Sequence, residues 1–563
     1  MSSITQKKLV GVSPGSRHER YRLLFDALGQ LFPVEFRRVK PRDYHALDGL
    51  IVLDGDIPAG LAAAAEGLPS FVVAEGSGPS GEAAAREVHF GTAAFLDVSL
   101  RGRMMVDKSG SISGPLAVQP GDEVLASADG NPVWLSRPRG RGACQVAGVP
   151  LPPLGEKEFL FQHLNGQQFM RLLPLMNFLR QLVKDVDWQD SPSRACFVFD
   201  DPSFYRPSYG FLNYRLLAEQ AAKHRFYVSV AVIPLDTWWV NRGVAATFRS
   251  SSPRLSILIH GNNHTAREML IENNGAGHLA AAAQAIRRME RLERRHGIAL
   301  FKIMEAPHGA ISYDSLRHLL TLDYEAALCT TELLVQHNPG AAWPVSLGMD
   351  RSEILGGGLP VIRRIKMSGH WRNDILLAAF LQQPFVVAGH HWDAADRFET
   401  LVEVASFINN LKNVTWASPL EMTRSNYKQL RLGDALNLKA YSRRIHVPVT
   451  ESVNQIFVHR PWLQCDSEGE MLIVKSSDQE IFRAVGTGVL GPIPVKAPGL
   501  LEVCSPPAHP VDYRTARAPR PRCWPVVRKV LMEVRDRSAP WRYRAARLLR
   551  GPEAKLPGKK DEY

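Results

Sequence analysis

Residues 195–202 read Ala-Cys-Phe-Val-Phe-Asp-Asp-Pro: five apolar side chains in a row, then two adjacent carboxylates before a proline. An unbroken apolar run of this length, stopped by turn residues, describes a strand buried on both faces, as in a parallel sheet covered by helices. Six runs of the same kind follow: YVSVAVI (227–233), LSILI (255–259), FKIME (301–305), AALCT (326–330), PVIRRI (360–365) and PFVVAG (384–389). Helical stretches such as 216–224 and 281–295 separate most of them. Repeated strand–helix alternation predicts a seven-stranded β/α barrel over 195–424. In such barrels, active sites are built from the loops that follow the strand carboxyl ends.

Three of those strand ends carry chemistry. The first has Asp200 and Asp201 side by side. Like charges repel, and a cation taken by one of them relieves the repulsion. The second is LSILI followed by His260-Gly-Asn-Asn-His264. Gly261, Asn262 and Asn263 make a helix between the histidines unfavourable, so a turn that brings both imidazoles to one ion is expected. Thr265 and Glu268 read as a capping box opening the next helix. The third is PFVVAG followed by His390, His391, Trp392 and Asp393, where a histidine with a carboxylate nearby suits a general acid. Each site read alone also fits an ordinary polar turn. Three on one barrel are harder to assign to coincidence. One Asp and two His form a ligand set for Zn²⁺ or another borderline divalent ion, with coordination positions left for water and substrate.

In this order the motifs resemble the polysaccharide deacetylases, the NodB-like carbohydrate esterases, over roughly 225 residues, the size of one domain. The resemblance implies a distorted β/α barrel that removes N- or O-linked acetyl groups from sugars. It implies Asp200 as general base, and Asp201, His260 and His264 as metal ligands. The late motif Ala388-Gly389-His390 implies His390 as general acid, with His391 as its rival. The family's third motif is Arg-x-Pro, whose arginine orients the catalytic aspartate. Here Glu305-Ala306-Pro307-His308-Gly309 stands instead, with the charge reversed at Glu305, and no Asp-x-x-Asp-Trp element is found. Glu305, Pro307, Tyr205 and Trp392 are candidate substrate contacts. Phe204, Tyr209, Trp238 and Trp239 are further candidates for stacking on sugar rings. The reversed charge at Glu305 motivates an alternative, a catalytically degenerate carbohydrate-binding protein assisting polysaccharide synthesis or export. A third reading is another metal-dependent amide or ester hydrolase.

The flanks complete an α/β chain of four parts. Residues 1–183 alternate KLVGV, a helix near 20–31, GLIVL and SFVVA, which predicts a parallel α/β domain. EVLAS, PVWLS and CQVAGVP are expected as added strands. Apolar residues from Phe169 to Leu182 at helical spacing are expected as a helix despite Pro174. This part resembles glutamine-amidotransferase-like domains. However, Glu75-Gly76-Ser77-Gly78 follows SFVVA and no Gly-x-Cys-x-Gly elbow is present, so a scaffold or docking role is expected. Residues 184–194 read as a linker. Residues 425–510 are expected as a small β-sandwich from RIHVPV, QIFVHR and MLIVKS.

The net charge of +12 is uneven: residues 511–563 hold 15 Lys/Arg against 6 Asp/Glu, leaving only +3 for the rest. That balance argues against nucleic-acid binding by the body. The tail is expected either as a mobile solvated segment or as a contact for an anionic membrane surface or acidic polysaccharide. One basic helix is expected near 525–550, interrupted at Pro540. The first residues lack a signal-like apolar core and no run is long enough to span a membrane, which makes the cytoplasm the expected location. Six cysteines without CxxC spacing argue against a zinc finger and against a disulfide framework.

Overall fold

A computed structural model describes the chain except for residues 1–6, 40–45, 54, 56–65, 75–84, 113–114, 141, 252, 266, 271–274, 368, 464–467, 521 and 551–563. The chain forms two compact units. The first comprises 1–189 with 342–350 and 369–383, and the second comprises the remainder.

The first unit is built on one nine-stranded sheet. Five strands are parallel, in the order Val34–Arg38, Lys8–Ser13, Gly49–Val52, Ser70–Val73 and Gly142–Ala147. Four antiparallel strands extend it: Asn131–Arg139, Glu123–Ala128, Arg86–Phe90 and Met104–Asp107. The central strands Gly49–Val52 and Ser70–Val73 are buried at every residue, which is why they read as plain apolar runs. The closing helix is Leu173–Leu182, shorter than expected, with Pro174 in its first turn. A proline there removes only an N–H that has no helical partner, so the helix is not broken. The Glu75–Gly78 segment lies outside the described residues.

In the second unit, seven parallel strands close into a barrel. They are β1 (Ser193–Asp200), β2 (Val228–Val232), β3 (Leu255–His260), β4 (Leu300–Glu305), β5 (Ala326–Cys329), β6 (Leu359–Lys366) and β7 (Phe385–Gly389). Neighbours in sequence are neighbours in space, and β1 pairs with both β7 and β2 to close the ring. All seven expected runs are strands. The barrel interior is filled by Cys196, Val198, Ala231, Leu258, Ile303, Leu328, Ile362 and Val386. Leu258, Ile303 and Ile362 are fully buried, and burial at that level stabilises by about 1.5–3 kcal/mol for each such side chain.

Strand alternation then determines what stands at the carboxyl end. Side chains two residues apart point the same way. Two residues beyond Val198, Leu258, Ile303 and Ile362 are Asp200, His260, Glu305 and Arg364. The apolar plug of the barrel is thus topped by a layer of charged and imidazole groups.

The same unit contains two packed β-sheets. One runs Tyr427–Leu432, Ala435–Ala440, Gln455–His459 and Val489–Pro494. The other runs Arg444–Val449, Gly499–Cys504, Glu470–Ser476 and Gln479–Gly486. Alternate residues such as Ile445/Val447, Ile456/Val458 and Leu472/Val474 share one core, the expected sandwich.

Beyond the sandwich, Trp524–Arg550 is a single helix that continues through Pro540, which corrects the expected interruption. A mid-helix proline clears the carbonyls one turn back of their donors. For Pro540 the carbonyl concerned is Asp536's; one residue earlier, the Arg535 carbonyl accepts from Arg542 Nη2 and Ser538 Oγ, at 2.7 and 2.9 Å. Nor is the helix a free tail, because Lys529, Asp536 and Ala539 are buried against the barrel. Among the described residues, no helix is long and apolar enough to cross a membrane.

Candidate metal centre at the barrel mouth

Asp201, one residue past β1, has φ 75°, a left-handed conformation that aspartate tolerates better than most residues. The turn aims its carboxylate at the end of β3. Asp201 Oδ1 lies 3.2 Å from His260 Nε2 and 3.0 Å from His264 Nε2. One donor atom from each of the three residues lies within 4.8 Å of the others, so all three can face a single cation.

Glu268 holds the turn between the two histidines. Its carboxylate accepts N–H bonds from Asn262 at 2.6 Å, Asn263 at 3.2 Å and His264 at 3.0 Å. This corrects the capping-box reading: Glu268 folds back onto the preceding loop, and the next helix opens only at Gly275. Gly261, at φ 59°, has no substitute, since a Cβ there would lie 2.2 Å from Glu268 Oε1 and 2.6 Å from Pro307 Cγ. Arg288 completes the clasp through the Asn262 and Asn263 side-chain oxygens.

Behind His260 sits Glu305, fully buried. His260 Nδ1 is 3.1 Å from the Glu305 carbonyl and in close contact with the Glu305 carboxylate. Both are acceptors, so Nδ1 carries a proton. The Glu305 and Asp201 carboxylates outweigh burial and raise this imidazole well above its usual range, and with an ion bound Nε2 would present its lone pair to it. His260 Nε2 and Asp201 Oδ1 are both buried without a hydrogen-bond partner. Unsatisfied buried polar atoms are costly, and a divalent ion among them would satisfy both at once. The donor set of one carboxylate and two imidazoles suits such an ion.

Arg364, in β6, was not singled out in the sequence. Its guanidinium bridges the Asp200 and Glu305 carboxylates. Burial pushes the Asp200 carboxyl above its usual range against the pull of Arg364. Burial would also raise Glu305, but Arg364 and His260 outweigh it and hold that carboxyl down. At Asp201 the imidazoles of His264 and His260 overcome burial and keep the carboxyl ionised. The other oxygen of Asp200, Oδ1, is buried and lacks a hydrogen-bond partner. His390 Nε2 stands 3.9 Å from Asp200 Oδ2, on a side chain 29% exposed, while its backbone N–H bonds Asp393.

No family model matches the chain, and no curated protein matches it. Among solved structures, a provisionally named polysaccharide deacetylase of Mycobacterium smegmatis is 15% identical, with 43% of this chain and 92% of that one covered and a TM-score of 0.32. The Xyl-CE4 domain of a multidomain xylanase from the hindgut metagenome of Trinervitermes trinervoides is 10% identical, with 41% and 89% covered and a TM-score of 0.26. A 4-alpha-glucanotransferase of Thermococcus litoralis is 13% identical, with 41% and 40% covered and a TM-score of 0.29. At these values the case for function rests on the geometry of the site.

The remaining candidates fall in different places. His391 turns away from Asp200. It is buried, its ring lies over Gly210, and its Nε2 is 3.7 Å from Asp536 Oδ1. Pro307 is buried under the Gly261 turn, and Glu305 backs His260. Tyr205 accepts a hydrogen bond from Trp238 Nε1 at 2.7 Å and packs near Trp239. Both tryptophans are well exposed. Phe204 and Tyr209, expected at the rim, are instead buried. Phe204 packs on Tyr214 and Phe248, and Tyr209 donates to Asp536.

The Trp524–Arg550 helix supplies part of this wall. Lys529 forms a buried ion pair with Asp236, and Arg537 donates to the Ser208 carbonyl. Burial works against ionisation of Asp536, but the nearby His391 and hydrogen bonds from Arg535 and Tyr209 outweigh it and bring its pKa to about 2. A depressed carboxyl pKa stabilises the fold above the unfolded value, and that stability is lost as pH falls toward the folded value. Asp536→Asn is therefore expected to be less stable than wild type by about 2 kcal/mol at pH 7, with the gap closing between about pH 4 and pH 2. Urea midpoints measured across that range check it, and a gap independent of pH would contradict the ionised role.

Proposed function

We propose that the chain is a zinc-type metal-dependent hydrolase that removes acetyl groups, N- or O-linked, from a carbohydrate. The carrying observation is the convergence of Asp201, His260 and His264 beside Asp200, whose buried Oδ1 has no partner. On this reading 195–424 is the catalytic barrel, 1–183 a non-catalytic α/β module, 425–510 a β-rich domain and 511–563 a basic segment.

Asp201, His260 and His264 would hold the ion. When bound it supplies Lewis acidity and a water acid enough to deprotonate near neutral pH. Asp200 Oδ1 takes a proton from the attacking water, since it is the one oxygen of that carboxylate left unbonded. Arg364 holds Asp200 Oδ2 and so fixes which oxygen faces the substrate. Glu305 keeps the His260 ring in the tautomer that a ligand requires. His390, open to solvent and near Asp200, hands a proton to the leaving nitrogen or oxygen. Trp238 and Trp239 offer exposed faces for a sugar ring.

Glu305 no longer favours the degenerate reading. A guanidinium does meet Asp200, from Arg364 on another strand, and Glu305 has a second task behind His260. The test is acetate release from a panel of N- and O-acetylated oligosaccharides by metal-loaded protein. Turnover of one class is expected, and sugar binding without any turnover would overturn the enzymatic reading. Within an active preparation, His390→Ala is expected to lower kcat by about 10²–10⁴ with metal content unchanged. His391→Ala should act mainly on stability, through Asp536. Reversal of that order would make His391 the acid.

A further inference from the structure

The Trp524–Arg550 helix presents its polar side to the protein and its apolar side to solvent, the reverse of an ordinary surface helix. Lys529, Glu533 and Asp536 face inward. Lys529 pairs with Asp236 and Glu533, and Asp536 is held by Tyr209. On the opposite side, Val527, Val530, Leu531 and Val534 recur at three- and four-residue spacing, and Trp541 and Leu548 follow on the same face at intervals of seven. All are exposed, with Leu531 at 60%, Val534 at 64% and Trp541 at 73%. A continuous apolar stripe of that extent is rare on a surface without a partner.

Charge identifies the partner. Arg542 stands on one border of the stripe and Arg544 on the other, by helical spacing, whereas Arg535 and Arg537 on the same borders are paired with Asp536 and Glu533. The helix has eight Lys/Arg against two acids, Glu533 and Asp536, and both acids are already engaged in ion pairs. Outward it is therefore apolar along its middle and cationic at its edges. A bilayer surface rich in anionic headgroups takes both at once, acyl boundary against the stripe and phosphates against the guanidinium groups. We propose that this helix docks the protein flat on an anionic lipid bilayer. Its inward anchors reach the wall that holds Tyr209 and His391, so docking would fix the barrel mouth relative to the membrane surface. The proposal stands apart from the deacetylase reading, and its readout is binding.

The test is co-sedimentation of the full chain with phosphatidylcholine vesicles, with and without a third of phosphatidylglycerol. Retention on the anionic vesicles is expected, weakened by salt and falling about ten-fold in Leu531→Glu/Val534→Glu. Val485→Glu, an exposed apolar position on the sandwich, should bind as wild type does. Unchanged thermal melting of the double variant excludes misfolding, and Arg542→Glu/Arg544→Glu tests the charge without touching the stripe. No binding above that to phosphatidylcholine alone would overturn the proposal, as would undiminished binding by the double variant. Self-association of wild type that the double variant abolishes would instead assign the face to a second copy of the chain.

Discussion

Asp201→Ala is expected to leave a folded protein that no longer retains a divalent ion and has lost more than about 100-fold in kcat/KM. Removing an outer partner of a metal ligand already costs 10–100-fold, and loss of a ligand should exceed that. Folding should survive. Asp201 is at the strand end, keeps 21% of its side chain exposed, and its removal relieves crowding between adjacent carboxylates. The remaining imidazoles would still lie beside each other, with ring centroids 4.8 Å apart, but two neutral donors without a carboxylate bind hard and borderline ions weakly. Metal content after desalting and acetate release check both parts. Full metal occupancy in the variant would remove Asp201 from the ligand set.

The second large effect concerns Arg364. Arg364→Ala leaves Asp200 and Glu305 buried in the barrel with no cation between them, and breaking a buried pair in this way costs about 3–5 kcal/mol. Activity should fall with stability, because Asp200 loses the partner that fixes its orientation. Arg364→Lys separates the two roles. It keeps the charge but cannot fork to two carboxylates at once, so it should recover much of the stability and little of the kcat. Thermal melts and kcat for both variants decide this. Equal recovery of both by lysine would reduce Arg364 to a neutralising charge.

The parts of this site that are legible in the sequence share one property. Asp200, His260 and His390 each follow a strand run directly, with Asp201 and His264 in the turns just after, so a polar residue at a strand end marks the barrel mouth. The seven strands are legible for the same reason, since burial on both faces leaves no alternation to interrupt the run. Arg364 lies inside such a run, next to Arg363, and adjacent residues in a strand point to opposite faces. Its partners are 164 and 59 residues distant in sequence. Only the parity with Ile362, a barrel-interior residue, distinguishes the two arginines, and it acquires meaning once the interior is known.

Glu268 was misread because Thr-x-x-Glu fits a helix cap as well as it fits a loop clasp. The choice between them is made by Arg288 and Gly261, outside the local pattern. Asp536 and Lys529 were hidden by composition. In a strongly basic segment, their charges look like solvated ones until Asp236, Tyr209 and His391 are placed opposite them.

The central claim is that Asp201, His260 and His264 share one cation. Anomalous diffraction from crystals grown with zinc tests it most directly. The account predicts a single strong peak within coordination distance, about 2.0–2.2 Å, of one atom from each of the three side chains. A peak elsewhere, or none at this site with zinc bound in solution, would contradict it.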